Sequence, residues 1–248
     1  MIYLKTPNEI TEIEKVNKMG AEVLQMCYEH IQAGISTIEL EKIAEKYCVD
    51  NDVLPAFKGY KGFPFCLCVS VNEEVVHGFP SERILKNGDI ISVDFGLNRN
   101  GYFSDAAFTK AVGKIPANIK KLIKTSEESL YLGIDQAEAG NRIYDIGAAI
   151  QNHAIFNNFD VIRDYVGHGV GLSQHEWPKV PNYVSTGINW KLKLGMVIAI
   201  EPMLVEGSYD TFVRENGWTV VSKDGKMSAH FEHSVAITKD GPRILSKL

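Results

Sequence analysis

The chain has 248 residues, of which 45% are hydrophobic and 23% are charged, values that are ordinary for one large or two small globular domains. Its net charge of −5 and the lack of a lysine- or arginine-rich run argue against a nucleic-acid-binding platform. No apolar run approaches the roughly 18 residues that a membrane span requires, and the polar N-terminal stretch lacks a signal-peptide pattern, so we expect a cytoplasmic protein.

The first half of the sequence predicts two helices followed by strands. Thr6–Glu9 is a helix-start signal, and the apolar residues that follow predict a long amphipathic helix that ends near Gly34. Ser36–Glu39 is a second capping box and opens a helix that runs to about Val49. Strands are predicted at 65–76, 89–95 and 102–112.

The second half repeats this order. Helices are predicted from near Pro116 to about Phe156, with a break at Ala139-Gly140, and strands at 161–166, 196–205, 218–222 and 228–238. The Ala-Gly pair at 33–34 recurs 106 positions later, and neighbouring apolar positions align weakly at that offset. We therefore predict a single α+β domain over residues 1–248, composed of two similar halves, roughly 1–112 and 113–248, each a sheet with helices on one face.

Four cysteines, Cys27, Cys48, Cys66 and Cys68, do not predict a disulfide framework in a cytosolic chain of this length. Cys27 and Cys48 fall in helical patterns and are expected in the core. Cys66 and Cys68 would share one face of a strand, and they do not have the usual zinc-binding spacing.

Four acidic residues interrupt or adjoin apolar strand segments. Asp94 and Asp105 lie on either side of a short Asn/Gly turn, and Glu201 and Glu232 adjoin apolar runs in the second half. If these carboxylates converge, their mutual repulsion would force protonation or unfold the site. Divalent cations would remove the conflict, since they bind several anionic oxygens at short range. With His168 added, the donors suffice for two ions about 3.5–4 Å apart.

The residue types also indicate which metal is expected. A site of four carboxylates and one imidazole suits Mn, Fe(II) or Co, in contrast to the sulfur-rich sites that hold structural zinc, and Zn stays open as an alternative.

Taken singly, each acidic residue has an ordinary interpretation as a solvated or salt-bridged group. His30 and His153 are expected to be structural residues on helices, and His230 and His233, which flank Glu232, are expected to support it rather than to ligate metal.

The ordered set of motifs resembles the methionine aminopeptidases, specifically their short type I form. The set comprises His77, Asp94-x10-Asp105, Gly-His168-Gly, His175, Glu201-Pro-Met and Glu232-His. The resemblance covers nearly the whole chain, and only 33 positions separate His168 from Glu201, which leaves little room for the helical insertion of the type II form. It implies the pita-bread fold, in which two pseudo-symmetric halves hold antiparallel sheet covered by helices.

The resemblance implies an enzyme that removes the N-terminal methionine from nascent proteins and peptides and prefers a small second residue. Asp94 would hold one of two divalent ions, and Asp105 and Glu232 would bridge both. His168 and Glu201 would complete the ligands of the second ion. The substrate's free α-amine would bind a metal, and a bridging hydroxide would be the nucleophile.

The catalytic roles follow from the same resemblance. Glu201 would be the proton shuttle, and His175 would stabilise the tetrahedral oxyanion. His77 would position the scissile amide and assist the leaving nitrogen.

The substrate's methionine side chain is assigned by the resemblance to a pocket formed by Tyr60, Phe63, Cys68 and Trp218. A thioether packs well on aromatic faces and soft sulfur, although without the family such residues would be interpreted as plain core aromatics. Two positions depart from the family pattern. Gln174 stands where the bacterial form often has an aromatic residue, and Phe57 stands where a small cysteine is common, so the pocket's shape is expected to differ.

Three alternatives stay open. A related prolidase or aminopeptidase P typically carries a whole N-terminal domain before its metal domain, whereas the first acidic ligand here is already at residue 94. A binding protein that had lost its metal should lack some of the metal ligands, and a mononuclear iron oxygenase would leave some of the carboxylates unexplained.

For the peptidase, the expected partners are nascent polypeptide N-termini and, transiently, the ribosome. Neither a membrane nor a specific nucleic acid is expected as a partner, and the chain is expected to be a monomer.

Overall fold

The structure, a computed structural model, describes residues 2–247. Its helices are α1 (Pro7–His30), α2 (Thr37–Asp50), α3 (Ala117–Asp135) and α4 (Ile143–Phe156), with a short 3-10 turn at Tyr60–Gly62. Its strands are β1 (Leu54–Pro55), β2 (Leu67–Val71), β3 (Glu74–Val76), β4 (Ile90–Arg99), β5 (Tyr102–Ala111), β6 (Asp160–Val161), β7 (Gly167–Gly169), β8 (Glu176–Val180), β9 (Val197–Ile200), β10 (Met203–Val205), β11 (Thr211–Val213), β12 (Val220–Ser222), β13 (Ser228–His230), β14 (Glu232–Thr238) and β15 (Gly241–Ile244). Within residues 2–247, none of the helices is long and apolar enough to cross a membrane.

The helix starts predicted in the first half are both present. Thr6 and Glu9 cap α1 reciprocally: the Thr6 backbone N–H donates to the Glu9 carboxylate at 2.7 Å, and the Glu9 N–H donates to Thr6 Oγ1 at 3.3 Å. The Ser36 N–H donates to the Glu39 carboxylate at 3.2 Å before α2. The predicted break at Ala139-Gly140 falls between α3 and α4.

Strands from both halves of the chain join in one antiparallel sheet of nine strands. Its order is β1–β4–β5–β14–β9–β7–β8, with β2 paired to β4 and β15 paired to β14. The junction between the halves is the pairing of β14 with β5, in which Glu232 lies opposite Ala107. Two further three-stranded sheets are β13–β10–β6 and β11–β12–β3.

The helices pack on the nine-stranded sheet through two large apolar clusters. Leu24 of α1 and Leu40 of α2 belong to one cluster with Phe95 of β4. Ile146 of α4 belongs to the other with Ile198 of β9. Because side chains alternate along a strand, the residues next to these apolar side chains face the other way, and the acidic residues predicted to bind metal lie there.

Several predicted strands are divided or shorter than expected. Segment 65–76 turns at Asn72, whose φ is 62°, and forms β2 and β3. Segment 196–205 breaks after β9, because Pro202 has no N–H for the ladder. Segment 228–238 breaks at Phe231, and the prediction for 161–166 was wrong beyond Val161. All four cysteines are buried free thiols in the structure.

Candidate metal centre

The hairpin of β4 and β5 brings Asp94 and Asp105 onto the same face of the sheet. Asp94 lies opposite Ala107, and Asp105 lies opposite Gly96, so the two carboxylates are diagonal neighbours on adjacent strands. The two-residue turn Asn100-Gly101 sets this register with φ values of 55° and 82°, both in the left-handed region that such hairpins require. A shift of one residue would turn one of the two acids to the opposite face.

Glu232 and Glu201 reach the same place from the second half. Glu232 begins β14 opposite Ala107, and Asp94 lies on the other side of that alanine, whose short side chain leaves space between the two acids. Glu201 directly follows Ile200, the last residue of β9, which neighbours β14. Asp105 and Glu232 are only 4% and 3% exposed. Four carboxylates therefore converge in a largely dry site.

His168 has one ring nitrogen fixed and the other directed at the carboxylates. Its Nδ1 lies 2.9 Å from the carbonyl oxygen of Gly169, so Nδ1 carries the proton and donates it. Its Nε2 lies 3.7 Å from Asp105 Oδ2 and 3.6 Å from Glu201 Oε1. A ligating histidine needs this arrangement, in which the second nitrogen is anchored and the first presents its lone pair.

Burial makes the charged forms of these groups unfavourable. It raises the pKa of Asp105 to about 8, and burial together with the charge of Asp105 raises the pKa of Glu201 to about 8. Burial, and then the neighbouring carboxylates, raise the pKa values of Asp94 and Glu232 well above their ordinary values. Burial and the nearby His175 lower the pKa of His168 to about 3, so its imidazole is neutral.

The contacts of these carboxylates indicate what kind of group the cluster can bind. Within the part of the chain that the structure describes, the ion-pair contacts of these carboxylates are with His168 and His230, and none is with a lysine or arginine. Asp94 Oδ1 and Glu232 Oε1 are buried without a hydrogen-bond partner. Oxygen-rich sites with one imidazole suit divalent transition metals, so these residues fit a divalent metal centre.

The ligand atoms form two overlapping groups that share Glu232. Asp105, His168 and Glu232 make one group, in which the ligand atoms all lie within 4.8 Å of one another. Asp94, His230 and Glu232 make the other, within the same distance. One carboxylate common to two groups is the arrangement that would let two ions share it.

His230 lies closer to the metal cluster than its predicted supporting role required. Its Nε2 is 3.9 Å from Glu232 Oε2, and its Nδ1 is buried without a partner. Unlike His168, it has no anchored second nitrogen, which agrees better with a supporting residue than with a ligand. Residues two positions apart in an extended segment point to the same side, so the sequence could have predicted that His230 and Glu232 do so.

A third group of potential ligands, Glu41, Glu45 and Cys66, lies elsewhere and has other partners. The Glu41 carboxylate accepts hydrogen bonds from the backbone N–H groups of Cys66 at 2.6 Å and Leu67 at 3.0 Å. Glu45 pairs with Lys58 at 2.5 Å. The oxygens of this group are satisfied within the protein, so it supports the fold rather than a metal.

His175 and His77 stand beside the carboxylate cluster with aromatic neighbours. The ring of His175 stacks on Tyr60, with centroids 5.2 Å apart and planes inclined by 15°, and lies 4.2 Å from the ring of His168. The ring of His77 packs edge-on against Tyr165 at 5.4 Å and Trp218 at 6.2 Å. Burial and the nearby His175 lower the pKa of His77 to about 4, so this imidazole is neutral at pH 7.

An apolar recess adjoins the cluster. Phe57, Phe63 and Cys68 form its buried core, and Phe63 packs edge-on against Trp218 with centroids 5.1 Å apart. Burial raises the pKa of the Cys68 thiol well above its ordinary value, so the sulfur is uncharged. A neutral sulfur among aromatic rings is a surface on which a thioether packs well.

The glycine at position 96 makes room for the large side chain of Phe57. A Cβ at Gly96 would lie 2.7 Å from Phe57 Cε1, so the ring occupies the space that a side chain would take. Gln174 is buried, and its Oε1 has no hydrogen-bond partner. Both residues line the same cavity.

Every residue that the sequence analysis assigned to the site lines one cavity of about 570 Å³. These residues are Tyr60, Phe63, Cys68, His77, Asp94, Asp105, His168, His175, Glu201, Trp218 and Glu232. The volume lies in the range typical of small-ligand sites. Sequence reasoning missed Tyr165, which lines the cavity beside His77, and Phe65 and Phe79, which pack behind Phe63. A single aromatic in a loop carries no local signal that distinguishes it from an ordinary core residue.

Comparisons with known proteins agree with this geometry. The profile of metallopeptidase family M24 matches residues 11–239. A methionine aminopeptidase of Clostridium perfringens is 48% identical over 246 residues, which cover 99% of each chain. The crystal structure of methionine aminopeptidase from Thermotoga maritima is 43% identical, covers 100% of both chains and superposes with a TM-score of 0.97.

More distant neighbours share the fold alone. The prolidase of Pyrococcus furiosus is 24% identical, with a TM-score of 0.79, and the alignment covers 99% of this chain but 65% of the prolidase. Together these neighbours confirm the predicted α+β pita-bread fold. The chain belongs to metallopeptidase family M24 and, within it, to the methionine aminopeptidases.

Proposed function

We propose that this metallopeptidase removes the N-terminal methionine from nascent proteins and peptides, with two divalent ions at the carboxylate–histidine cluster. The observation that carries this proposal is the joint opening of a buried acidic cluster and an aromatic, sulfur-containing recess into one cavity. The acidic cluster can bind the ions that hydrolysis requires, and the recess can bind the methionine side chain that defines the substrate. A small second residue of the substrate is proposed from the family resemblance.

The proposed metal ligands divide the cluster between two ions. Asp94 would hold one ion, Asp105 and Glu232 would be shared by both, and His168 and Glu201 would complete the ligands of the other. The two overlapping donor groups support a shared Glu232, with Asp94 in one group and His168 in the other. When bound, divalent ions supply Lewis-acid polarisation and lower the pKa of water to near neutrality. The donor set is compatible with Co, Mn, Fe(II) or Zn.

Glu201 is the proposed proton shuttle. Its carboxylate lines the cavity, with Oε1 3.6 Å from His168 Nε2. A general base must lie within hydrogen-bond reach of the proton that it takes, and a carboxylate beside the other proposed metal ligands meets this requirement. Glu201 would take a proton from the attacking water and pass it to the leaving amine.

His175 and His77 are the proposed groups that bind the reacting peptide. His175 lines the cavity next to His168 and would donate a hydrogen bond to the oxygen that becomes negative in the transition state. His77 has φ of 58°, a conformation that is uncommon outside glycine and is often found at functional sites. It would position the scissile amide and assist the leaving nitrogen.

The proposed methionine pocket consists of Tyr60, Phe63, Cys68 and Trp218. The edge-on packing of Phe63 against Trp218 and the neutral thiol of Cys68 support it. Phe57 fills part of the same recess, so we expect the pocket to be shallower than one with a cysteine there. The ring of Tyr60 stacks on His175 and would connect the pocket to the reacting centre.

The remaining proposals concern the whole chain. We propose one catalytic domain over residues 1–248, with halves at roughly 1–112 and 113–248, and the sheet that takes strands from both halves supports it. We also propose a cytoplasmic monomer that acts on nascent polypeptide N-termini with transient ribosome association. These proposals rest on the family resemblance and on composition.

The test is release of methionine from Met-Ala-Ser peptides by chelator-stripped protein, with Mn, Fe(II), Co and Zn added back in turn. Stripped protein should be inactive, and at least one metal should restore release at two ions per chain. Leu-Ala-Ser and Ala-Ala-Ser peptides serve as controls and should be cleaved more slowly. Full activity after exhaustive chelation, or faster cleavage of the leucine or alanine peptide, would contradict the proposed function.

A further inference from the structure

Lys5 is a lysine whose ammonium group is enclosed by protein near the start of the chain. Its side chain is 1% exposed, and its Nζ lies 2.5 Å from Oε2 of Glu176, 171 positions away in the sequence. Lysine is almost never fully buried unless it is paired. The pair joins the segment before α1 to the first residue of β8, and neither residue is one of the proposed metal ligands.

Glu176 uses its second carboxylate oxygen to hold the loop that precedes it. Oε1 accepts hydrogen bonds from the backbone N–H of Leu172 at 2.7 Å and from that of Ser173 at 3.0 Å. We call residues 171–175 the His175 loop, since His175 is its last residue. The carboxylate folds back over this loop, so its orientation and the shape of the loop depend on each other.

Lys5 is itself held in place from several directions. Its N–H donates to the carbonyl oxygen of Gly195 at 2.7 Å, and the next residue caps α1. A Cβ at Gly171 would lie 3.4 Å from Lys5 Cε and 2.6 Å from Ile13 Cδ1, so the loop backbone rests directly on these side chains. Gly171 also has φ of +130°, and its carbonyl oxygen accepts the Phe103 N–H at 2.8 Å.

The His175 loop ends at the histidine to which we assign the oxyanion contact. His175 precedes Glu176 directly, and its ring is placed between Tyr60 and His168. We propose that Lys5 is a positioning residue: by fixing the Glu176 carboxylate it holds the His175 loop in the shape that presents the His175 ring to substrate. The inference rests on the proposed function, in which His175 donates to the oxyanion.

A role in positioning explains the pair better than a role in stability. Removing two charges from water is expensive, and a buried ion pair often stabilises a fold no more than well-packed apolar residues would. What an ion pair adds is a fixed geometry, here a carboxylate aimed at two loop N–H groups. Catalysis is sensitive to such geometry, since a displacement of about 1 Å can reduce a rate about 100-fold.

The test compares Lys5→Met with Lys110→Met. Lys110 is a matched control because its Nζ also donates to protein, to the carbonyl oxygens of Tyr28 and Ile31, at a distance from the His175 loop. We expect Lys5→Met to lower kcat by about 10- to 100-fold, with KM and calorimetric metal affinity within about twofold of the wild type. Lys110→Met should keep a normal kcat even if its melting temperature falls equally.

A double-mutant cycle separates positioning from general damage. Lys5→Met should cause no further loss of kcat in a His175→Ala background, because the positioned ring is already absent. An equal loss in both backgrounds, or a wild-type kcat in folded Lys5→Met, would overturn the proposal. If Lys5→Met does not fold, the neutral pair Lys5→Met with Glu176→Gln is measured in the same way and against the same outcomes.

A second readout does not depend on turnover. The ring Cε1–H resonance of His175, assigned by its loss in His175→Ala, reports the stacking on Tyr60. It should shift in Lys5→Met and stay unchanged in Lys110→Met, and an unchanged resonance in Lys5→Met would overturn the positioning role. If His175→Ala retains wild-type turnover, the oxyanion role in the proposed function fails, while this resonance still decides whether Lys5 positions the ring.

Discussion

The buried carboxylates predict that the metal-free protein loses stability as the pH rises above 7. The pKa of Glu201 is about 8 in the folded chain against an ordinary value of 4.5, and that of Asp105 is about 8 against 3.8. Between these values the folded state binds more protons than the unfolded state. Stability is therefore fully present below the unfolded pKa and is lost as the pH rises through the folded pKa.

The size of this effect follows from the proton linkage. For one carboxyl group with a folded pKa of about 8, the stabilisation falls by about 1 kcal/mol between pH 7 and pH 8. Asp105 contributes about the same, so the two groups together lose about 2 kcal/mol over this interval. Asp94 and Glu232, whose pKa values are also raised, act in the same direction.

The buried histidines act in the opposite direction, because they lower the stability of the fold as the pH falls. Burial lowers the pKa of His77, His175 and His233 to about 4 and that of His168 and His230 to about 3, against an ordinary value of 6.5. Stability from these groups is present above the unfolded pKa and is lost as the pH falls below it. From pH 7 to pH 8 the histidines return only about 0.7 kcal/mol, so the net fall is at least about 1.3 kcal/mol, to which Asp94 and Glu232 add.

Urea unfolding of chelated protein at pH 6, 7 and 8 measures this directly. We expect the free energy of unfolding in urea to fall by at least about 1.3 kcal/mol from pH 7 to pH 8, which in a thermal scan is a fall in melting temperature of about 3–5 °C. Metal-loaded protein should show no such fall, because the ions replace the protons. Glu201→Gln should reduce the fall in the chelated protein by about 1 kcal/mol, the share that Glu201 contributes. A free energy of unfolding that stays constant or rises from pH 7 to 8 without metal would refute the reasoning.

Three further predictions concern single residues. Asp105→Asn should weaken metal binding in titration calorimetry, because an amide cannot supply the shared anionic oxygen, and unchanged stoichiometry and affinity would contradict the bridging role. His175→Ala should fold and bind metal but lose about 10²- to 10³-fold in kcat, as expected for one oxyanion donor, and near-normal turnover would remove His175 from the mechanism. Phe57→Ala should deepen the recess and raise kcat/KM for Phe-Ala-Ser relative to Met-Ala-Ser peptides, since Phe57 is 7% exposed and lies in the pocket core. An unchanged ratio would show that Phe57 does not shape the pocket.

The parts of the fold that local chemistry determines could be predicted from the sequence. The capping boxes at Thr6–Glu9 and Ser36–Glu39 use residues three positions apart, so the contact lies within one turn of chain. The Asp94–Asp105 hairpin is similarly local, because a two-residue Asn-Gly turn fixes its register. Convergence with Glu201 and Glu232 is not local, and its prediction depended on the electrostatic conflict and on the family resemblance.

The parts that long-range packing determines could not be predicted. Strand β7 arises from the glycine-rich segment around His168, which has low strand propensity and is held by pairing with β8 and β9. The partner of Lys5 lies 171 positions away, and no spacing rule connects them. Sequence reasoning also treated 65–76 as one strand. In the structure β2 pairs with β4 and β3 pairs with β12, and local sequence does not reveal this change of partner.

One cause therefore underlies both the stability and the chemistry of this site. The strand register that buries Asp94, Asp105 and Glu232 raises their pKa values, so without metal the cluster retains protons near pH 7. A divalent ion can bind only by displacing those protons, because its ligands must be ionised. The same protons that stabilise the chelated chain oppose the metal. Metal affinity must then increase over the pH interval in which the chelated chain loses stability, since both quantities follow one ionisation equilibrium.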